Sequence, residues 1–277
     1  MTGGLGAGGK MGNKIYEKQN PRTVRRALDA VGMAFKFTWL PGMSRHPWLR
    51  PEKTDMRWLP INQDIEMPEN APMPLAVLDR LIEEASHRVI YDYCGCRLAY
   101  GCEHYPVEIG CLLMGDSAVE GKSSKKREVG VEEAKAFARK AVDAGLVPIV
   151  GKARIDNALF GIKDRGRMLT TCFCCECCCI TRNIRHVPLE KVEPLFPPLG
   201  GVTIEVTDEC KGCGTCAKHC YIEAITIEDK RAVIGAYCRA CGRCATVCPT
   251  DAIRVRLDDP DFLDKTVERI RSYVKYD

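Results

Sequence analysis

Residues 210–220 read CKGCGTCAKHC and residues 238–249 read CRACGRCATVCP. Both space four cysteines as C-x2-C-x2-C-x3-C, and the second run closes on Pro249. Three cysteines at x2 intervals wrap one loop around three corners of a cubane. The fourth opens a helical segment that points towards a second cluster. Cys210, Cys213 and Cys216 are therefore grouped with Cys248, and Cys238, Cys241 and Cys244 with Cys220. Each set is a candidate holder of one [4Fe–4S] cluster. Gly212, Gly214, Ala240 and Gly242 are small enough to let backbone N–H groups approach the sulfides, and such bonds tune the potential. Zinc is the alternative occupant, but zinc ribbons use two CxxC pairs, not two runs of four.

The flanks extend this pattern. GVTIEV before the first run, AITI and AVI between the runs, and AIRVRL after the second read as short strands. With these pieces, residues 201–256 resemble the two-[4Fe–4S] bacterial ferredoxin family. The resemblance implies a first strand, a central hairpin and a last strand around two clusters. Tyr221 departs from the family, which usually has proline after the fourth cysteine; no ligand is lost by it.

Ten further cysteines lie upstream. Cys94, Cys96, Cys102 and Cys111 sit in DYCGCRLAYGCEHYPVEIGCLLMG, enough for a third cubane or a zinc ion. His104 follows closely and reads as a surface residue rather than a ligand. Arg97 is placed to donate to a cluster sulfur or to a carboxylate such as Asp92, the plainer alternative being a surface ion pair. Cys172, Cys174, Cys175, Cys177, Cys178 and Cys179 crowd into CFCCECCC. Neighbouring side chains diverge on any regular backbone, so the six cannot all serve one metal. Either the six combine with the earlier four to hold two cubanes and leave two thiols spare, or they bind a larger or non-cubane cluster. Adjacent cysteines are similar to those of the heterodisulfide-reductase-type cysteine-rich domain, whose long spacings are missing here. DYCGCR, YPVEIGCLLMG, EEAKAFARKAVDAGLV and CFCCECCC together resemble the N-terminal region of uncharacterised ferredoxin-fused proteins of anaerobes, which implies a shared redox purpose.

Eighteen cysteines among 277 residues would suggest disulfides in a secreted chain. The opening stretch is Gly-rich and polar with no apolar signal core, so the expectation is a cytoplasmic protein with thiols as metal ligands. No run of about 18 apolar residues predicts a membrane span. Residues 1–60 carry eleven Lys/Arg against four Asp/Glu, a net +7, and the remainder is −3. No nucleic-acid motif accompanies this basic arm, so nucleic acid is not the favoured partner. Leu28, Val31, Phe35 and Trp39 predict an amphipathic helix over 23–40, suited to packing on its own body or lying on a membrane surface. Residues 41–72, with Trp48 and Trp58, read as extended and without much regular structure. Helices are expected from Pro74 to about His87 and over 131–144, the latter stopped by Gly145. Arg88 to Tyr93 and Leu146 to Val150 read as strands, and Glu120 to Lys126 as a polar surface loop. Leu263, Val267, Ile270 and Val274 predict a last helix within 259–277, covering the ferredoxin sheet or docking a partner.

The expected fold class is α+β: a basic arm (1–72), a cysteine-rich α/β metal-binding domain (73–200), a dicluster ferredoxin domain (201–257) and a C-terminal helix (258–277). No G-x-G-x-x-G follows a strand and no P-loop is present, so neither flavin nor nicotinamide is expected. Three functions compete. The first is an electron-transfer protein, a subunit of an oxidoreductase complex, passing single electrons between redox protein partners. The second is an oxidoreductase with a catalytic or non-cubane cluster at CFCCECCC. The third is a non-redox binding module with clusters as structural staples.

Overall fold

The computed structural model describes residues 21–38, 40, 54–61, 74–121, 123–163, 166–220 and 222–277. Most of the basic arm, Trp39, Trp48 and Tyr221 lie outside the described residues. In chain order the elements are α1 (Pro21–Lys36), β1 (Thr54–Trp58), α2 (Pro74–Glu84), β2 (Arg88–Tyr91), α3 (Gly95–Tyr100), β3 (Leu112–Met114), β4 (Lys126–Glu128), α4 (Val131–Asp143), β5 (Val147–Ala153), α5 (Arg154–Phe160), β6 (Leu169–Cys174), α6 (Leu189–Val192), β7 (Val202–Val206), α7 (Thr215–Lys218), β8 (Ile225–Glu228), β9 (Arg231–Ile234), α8 (Arg243–Thr246), β10 (Ile253–Leu257) and α9 (Phe262–Arg271).

Six strands form one sheet in the order β1-β5-β6-β3-β2-β4. Every pairing in it is antiparallel, so this half is α+β in its own right and not the α/β layer expected. Side chains alternate across it, as the two-residue strand period requires. Ile90, Leu112, Met114, Leu169 and Phe173 face one side and join Leu78, Leu81 and Ile82 of α2 and Ala134, Ala138 and Ala141 of α4. Val89, Tyr91 and Leu113 face the other side and meet Val24 and Leu28 of α1. Each large side chain buried this way contributes about 1.5–3 kcal/mol.

Helix α1 thus packs on the body of the protein and ends at Lys36, four residues before its expected limit. Helix α4 stops as expected. Gly145, at φ +80°, donates to the Val142 carbonyl and Leu146 donates to that of Ala141, which satisfies two carbonyls at the helix end. Strand β1 corrects the reading of 41–72 as irregular. Met56 and Trp58 are buried, and the strand pairs with β5 from Thr54↔Ala153 to Trp58↔Ile149, which shields that edge. The expected surface loop at 120–126 is partly inside: Gly121 and Ser123 are buried and Lys126 opens β4.

Residues 202–257 build two short ribbons, β7 with β10 and β8 with β9. Ile225, Ala232 and Ile253 enclose Cys216 and Cys244 between them. The two halves share a core, to which Val202, Ala240, Val255 and Leu257 contribute from one half and Cys175 and Cys178 from the other. Helix α9 lies against α2, burying Val267, Ile270 and Val274, and Tyr276 donates to Glu84 at 2.9 Å.

Candidate metal centres

The two cysteine runs fold as copies of one another. Gly212 and Ala240 take the same left-handed conformation (φ +65° and +53°), as do Gly214 and Gly242, and Glu223 and Asp251. After each run the chain curls back on its last sulfur: Ala224 N donates to Cys220 Sγ and Ala252 N to Cys248 Sγ, both at 3.3 Å. Ala240 N donates to Cys238 Sγ at 3.4 Å, and Ala232 N to Cys210 Sγ at 3.4 Å. N–H groups aimed at sulfur stabilise thiolate over thiol.

Cys248 packs on the same apolar cluster as Cys210 and Cys216, and Cys220 on the same cluster as Cys238 and Cys241. Burial pushes the Cys216 thiol up, and charge on Cys210, Cys213 and Cys248 pushes it further. Cys244 is raised likewise, by burial and then by Cys241, Cys238, Cys220 and Cys216. Packing several thiols with no counter-ion is unfavourable for thiolates, and a cationic iron–sulfur core removes that repulsion. Arg239 is 2 % exposed beside Cys238, and its Nε and Nη2 have no hydrogen-bond partner. Two orphaned donors this deep call for an acceptor, and cluster sulfur supplies one. The donor set, the N–H groups and Arg239 all fit a thiolate-held cluster.

The ten upstream cysteines are sorted differently from their order in the sequence. Cys102 meets three members of CFCCECCC: the sulfurs of Cys102, Cys175, Cys177 and Cys178 all lie within 4.8 Å of one another. His104 is exposed and is not part of that group. Cys94 and Cys96 contact each other; Cys174 and Cys179 stand 2.9 Å apart; Cys111 and Cys172 stand 3.5 Å apart. Strand period explains the split. Cys172 and Cys174 share one face of β6 while Phe173 takes the other, and the turn after Cys174 carries Cys175, Cys177 and Cys178 away before Cys179 returns. Soft thiolate sets of this kind select iron–sulfur clusters, zinc or Cu(I).

Arg97 is not a surface residue. It is fully buried and donates to the carbonyls of Pro106 and Phe173, both at 2.8 Å, and of Ile109. Asp92 pairs with Arg127 instead, at 3.1 Å.

Four residues that the sequence did not single out join the two halves. Arg243, on α8 between Cys241 and Cys244, donates to Tyr105 Oη at 2.7 Å and pairs with Glu176 at 3.5 Å. Tyr105 donates to Glu176 at 2.8 Å, and His219 Nδ1 lies 3.4 Å from the same carboxylate. Burial alone would raise Glu176, but its own backbone N–H, the Tyr105 hydroxyl and the Arg243 charge hold it below its ordinary value. Glu176 lies between Cys175 and Cys177, and His219 precedes Cys220. One polar cluster therefore touches the loops of both cysteine sets. A charged residue inside CFCCECCC was the one available sign of it.

Among the described residues no helix is long and apolar enough to cross a membrane. No curated protein and no solved structure matches the chain. Residues 233–254, which span the second run, match the family of 4Fe-4S binding domains, so the chain carries an iron–sulfur domain of the ferredoxin type.

Proposed function

We propose that this protein passes single electrons between redox partner proteins, through two [4Fe–4S] clusters in its C-terminal half and at least one further metal centre in its N-terminal half. Cys210, Cys213, Cys216 and Cys248 hold one cluster, and Cys238, Cys241, Cys244 and Cys220 the other. Cys102, Cys175, Cys177 and Cys178 hold the next centre. The observation that carries this reading is the Tyr105–Glu176–Arg243–His219 cluster. It fixes the loops of the second ferredoxin set against the Cys102 group, so the sulfur sets follow one another through the molecule. A structural staple has no need of such a series. When bound, a cubane supplies a one-electron couple whose potential the protein tunes through N–H···S bonds and burial. The chain supplies those bonds from Ala224, Ala232, Ala240 and Ala252. The redox partners are other proteins, in line with a subunit of a larger oxidoreductase, and reduced thiols suit a cytoplasmic setting.

The test is reduction of anaerobically purified full-length protein by dithionite, followed by EPR and reoxidation. Two interacting S = 1/2 centres that reappear over repeated cycles are expected. Iron that neither takes up nor releases electrons, or a chain purified without iron and sulfide, would sink the reading.

A further inference from the structure

Six thiols stand apart from the Cys102 group, and they converge. Cys94, Cys96, Cys111, Cys172, Cys174 and Cys179 all line one cavity of about 110 Å³, roofed by Val24, Leu28 and Val31 of α1, and Cys175 of the Cys102 group forms part of its wall. They come as three pairs. Cys174 and Cys179 are 2.9 Å apart, Cys111 and Cys172 are 3.5 Å apart, and Cys94 and Cys96 flank Gly95 at the start of α3.

One buried polar group points to what the cavity holds: Arg97, which lines it. Its guanidinium is fully buried and has only carbonyl acceptors and cysteines about it, with no carboxylate paired to it among the described residues. A buried cation without an anion costs several kcal/mol. Cys94, Cys174 and Cys175 line the cavity with it, and Cys175 belongs also to the Cys102 group. Arg97 is placed to neutralise negative charge on both sides at once. A lone zinc ion on four thiolates is closed by its ligands at about 2.3 Å and leaves no use for a cavity beside them.

We propose that this cavity holds an iron–sulfur cluster of its own, bound by Cys94, Cys96, Cys174 and Cys179 and separated by Arg97 from the centre at Cys102. Cys111 and Cys172, 3.5 Å apart, remain as a thiol pair on its wall. Eight of the ten N-terminal cysteines then make two centres, each drawing on both sequence groups. The purpose of the inner centre rests on the electron-transfer reading: it is the end of the series, covered by α1.

The experiment counts iron, sulfide and zinc per chain in the anaerobic full-length protein and in two double variants. About sixteen irons are expected in the unaltered protein. C94S/C174S is expected to lose about four of them and C102S/C177S a different four, with the EPR signals of the ferredoxin half kept in both. About eight irons in the unaltered protein would overturn the inference whether or not the variants fold, as would a C94S/C174S protein that keeps all its iron. So would zinc that disappears with Cys94 and Cys174, or two variants that lose the same irons. None of these outcomes touches the ferredoxin signals, whose absence would sink the electron-transfer reading separately.

Discussion

A methyl group at position 212 would sit 2.4 Å from the Lys230 carbonyl oxygen. Backbone conformation is not the obstacle, since Ala240 occupies the matching place in the second loop at φ +53°. The obstacle is the turn between β8 and β9, which presses on the first loop. Gly212→Ala is expected to displace that turn, cost about 1–3 kcal/mol and drop the cluster of the first loop while the second stays. Iron content and the loss of one of two interacting EPR centres check it. Retention of both would mean that the turn yields without cost. The same scale shows where sequence reading stops. The small residues of the loops were legible because the spacing of the cysteines fixed what must approach the sulfur. Arg97 was legible only as a donor. That its guanidinium is buried between two sulfur groups depends on Phe173, 76 residues away, whose carbonyl it holds.

At the scale of elements, helices α2, α4 and α9 were readable from apolar spacing, and the ferredoxin strands from their flanking runs. What the sequence could not give was which strand faces which. CFCCECCC reads as one dense group, yet β6 sends Cys172 and Cys174 to one face and the turn sends Cys175, Cys177 and Cys178 elsewhere. Position along a strand decides this, and the end of β6 is invisible in a run of identical residues. The last helix offers a test of element docking. Burial alone would raise the Glu84 carboxyl of α2, but hydrogen bonds from Arg80 and Tyr276 and the charges of Arg271 and Arg80 hold it below its ordinary value. A carboxyl depressed on folding contributes stability above its unfolded pKa, about 4.3, and that contribution is lost as pH falls through the folded value. Glu84→Gln should therefore loosen α9 by about 1–2 kcal/mol at neutral pH. It should also flatten the loss of stability that the unaltered protein shows on acidification below about pH 4. Proteolytic release of the C-terminal helix measures both, and equal release from the two proteins at neutral pH would refute the role given to Glu84.

Across the whole molecule, the order of the sulfur sets matters more than their number. The ferredoxin half is joined to the Cys102 group by a polar cluster whose centre is Arg243, itself 14 % exposed and bonded to Tyr105, Glu176 and the Gly145 carbonyl. Other polar contacts cross between the halves, among them Ile61 N donating to the Cys241 carbonyl, Tyr237 donating to the Val187 carbonyl and Arg185 paired with Glu223, but none of these three touches CFCCECCC. Arg243→Met keeps the stem and removes the fork. It should cost about 1.5–3 kcal/mol, the worth of a bond to a charged group, and leave the iron count unchanged. Arg243→Lys restores charge but cannot bridge two acceptors in one plane, so it should recover only part of the loss. The informative readout is kinetic. After mixing with less than one equivalent of reductant, freeze-quenched EPR should show the ferredoxin signals reduced first in every variant. The N-terminal signal should then lag in Arg243→Met behind the unaltered protein. If that signal keeps pace while stability falls, the polar cluster is a clasp between halves and the electrons travel by another route. If it lags, the side chains that hold the halves in register also set the rate at which electrons cross between them.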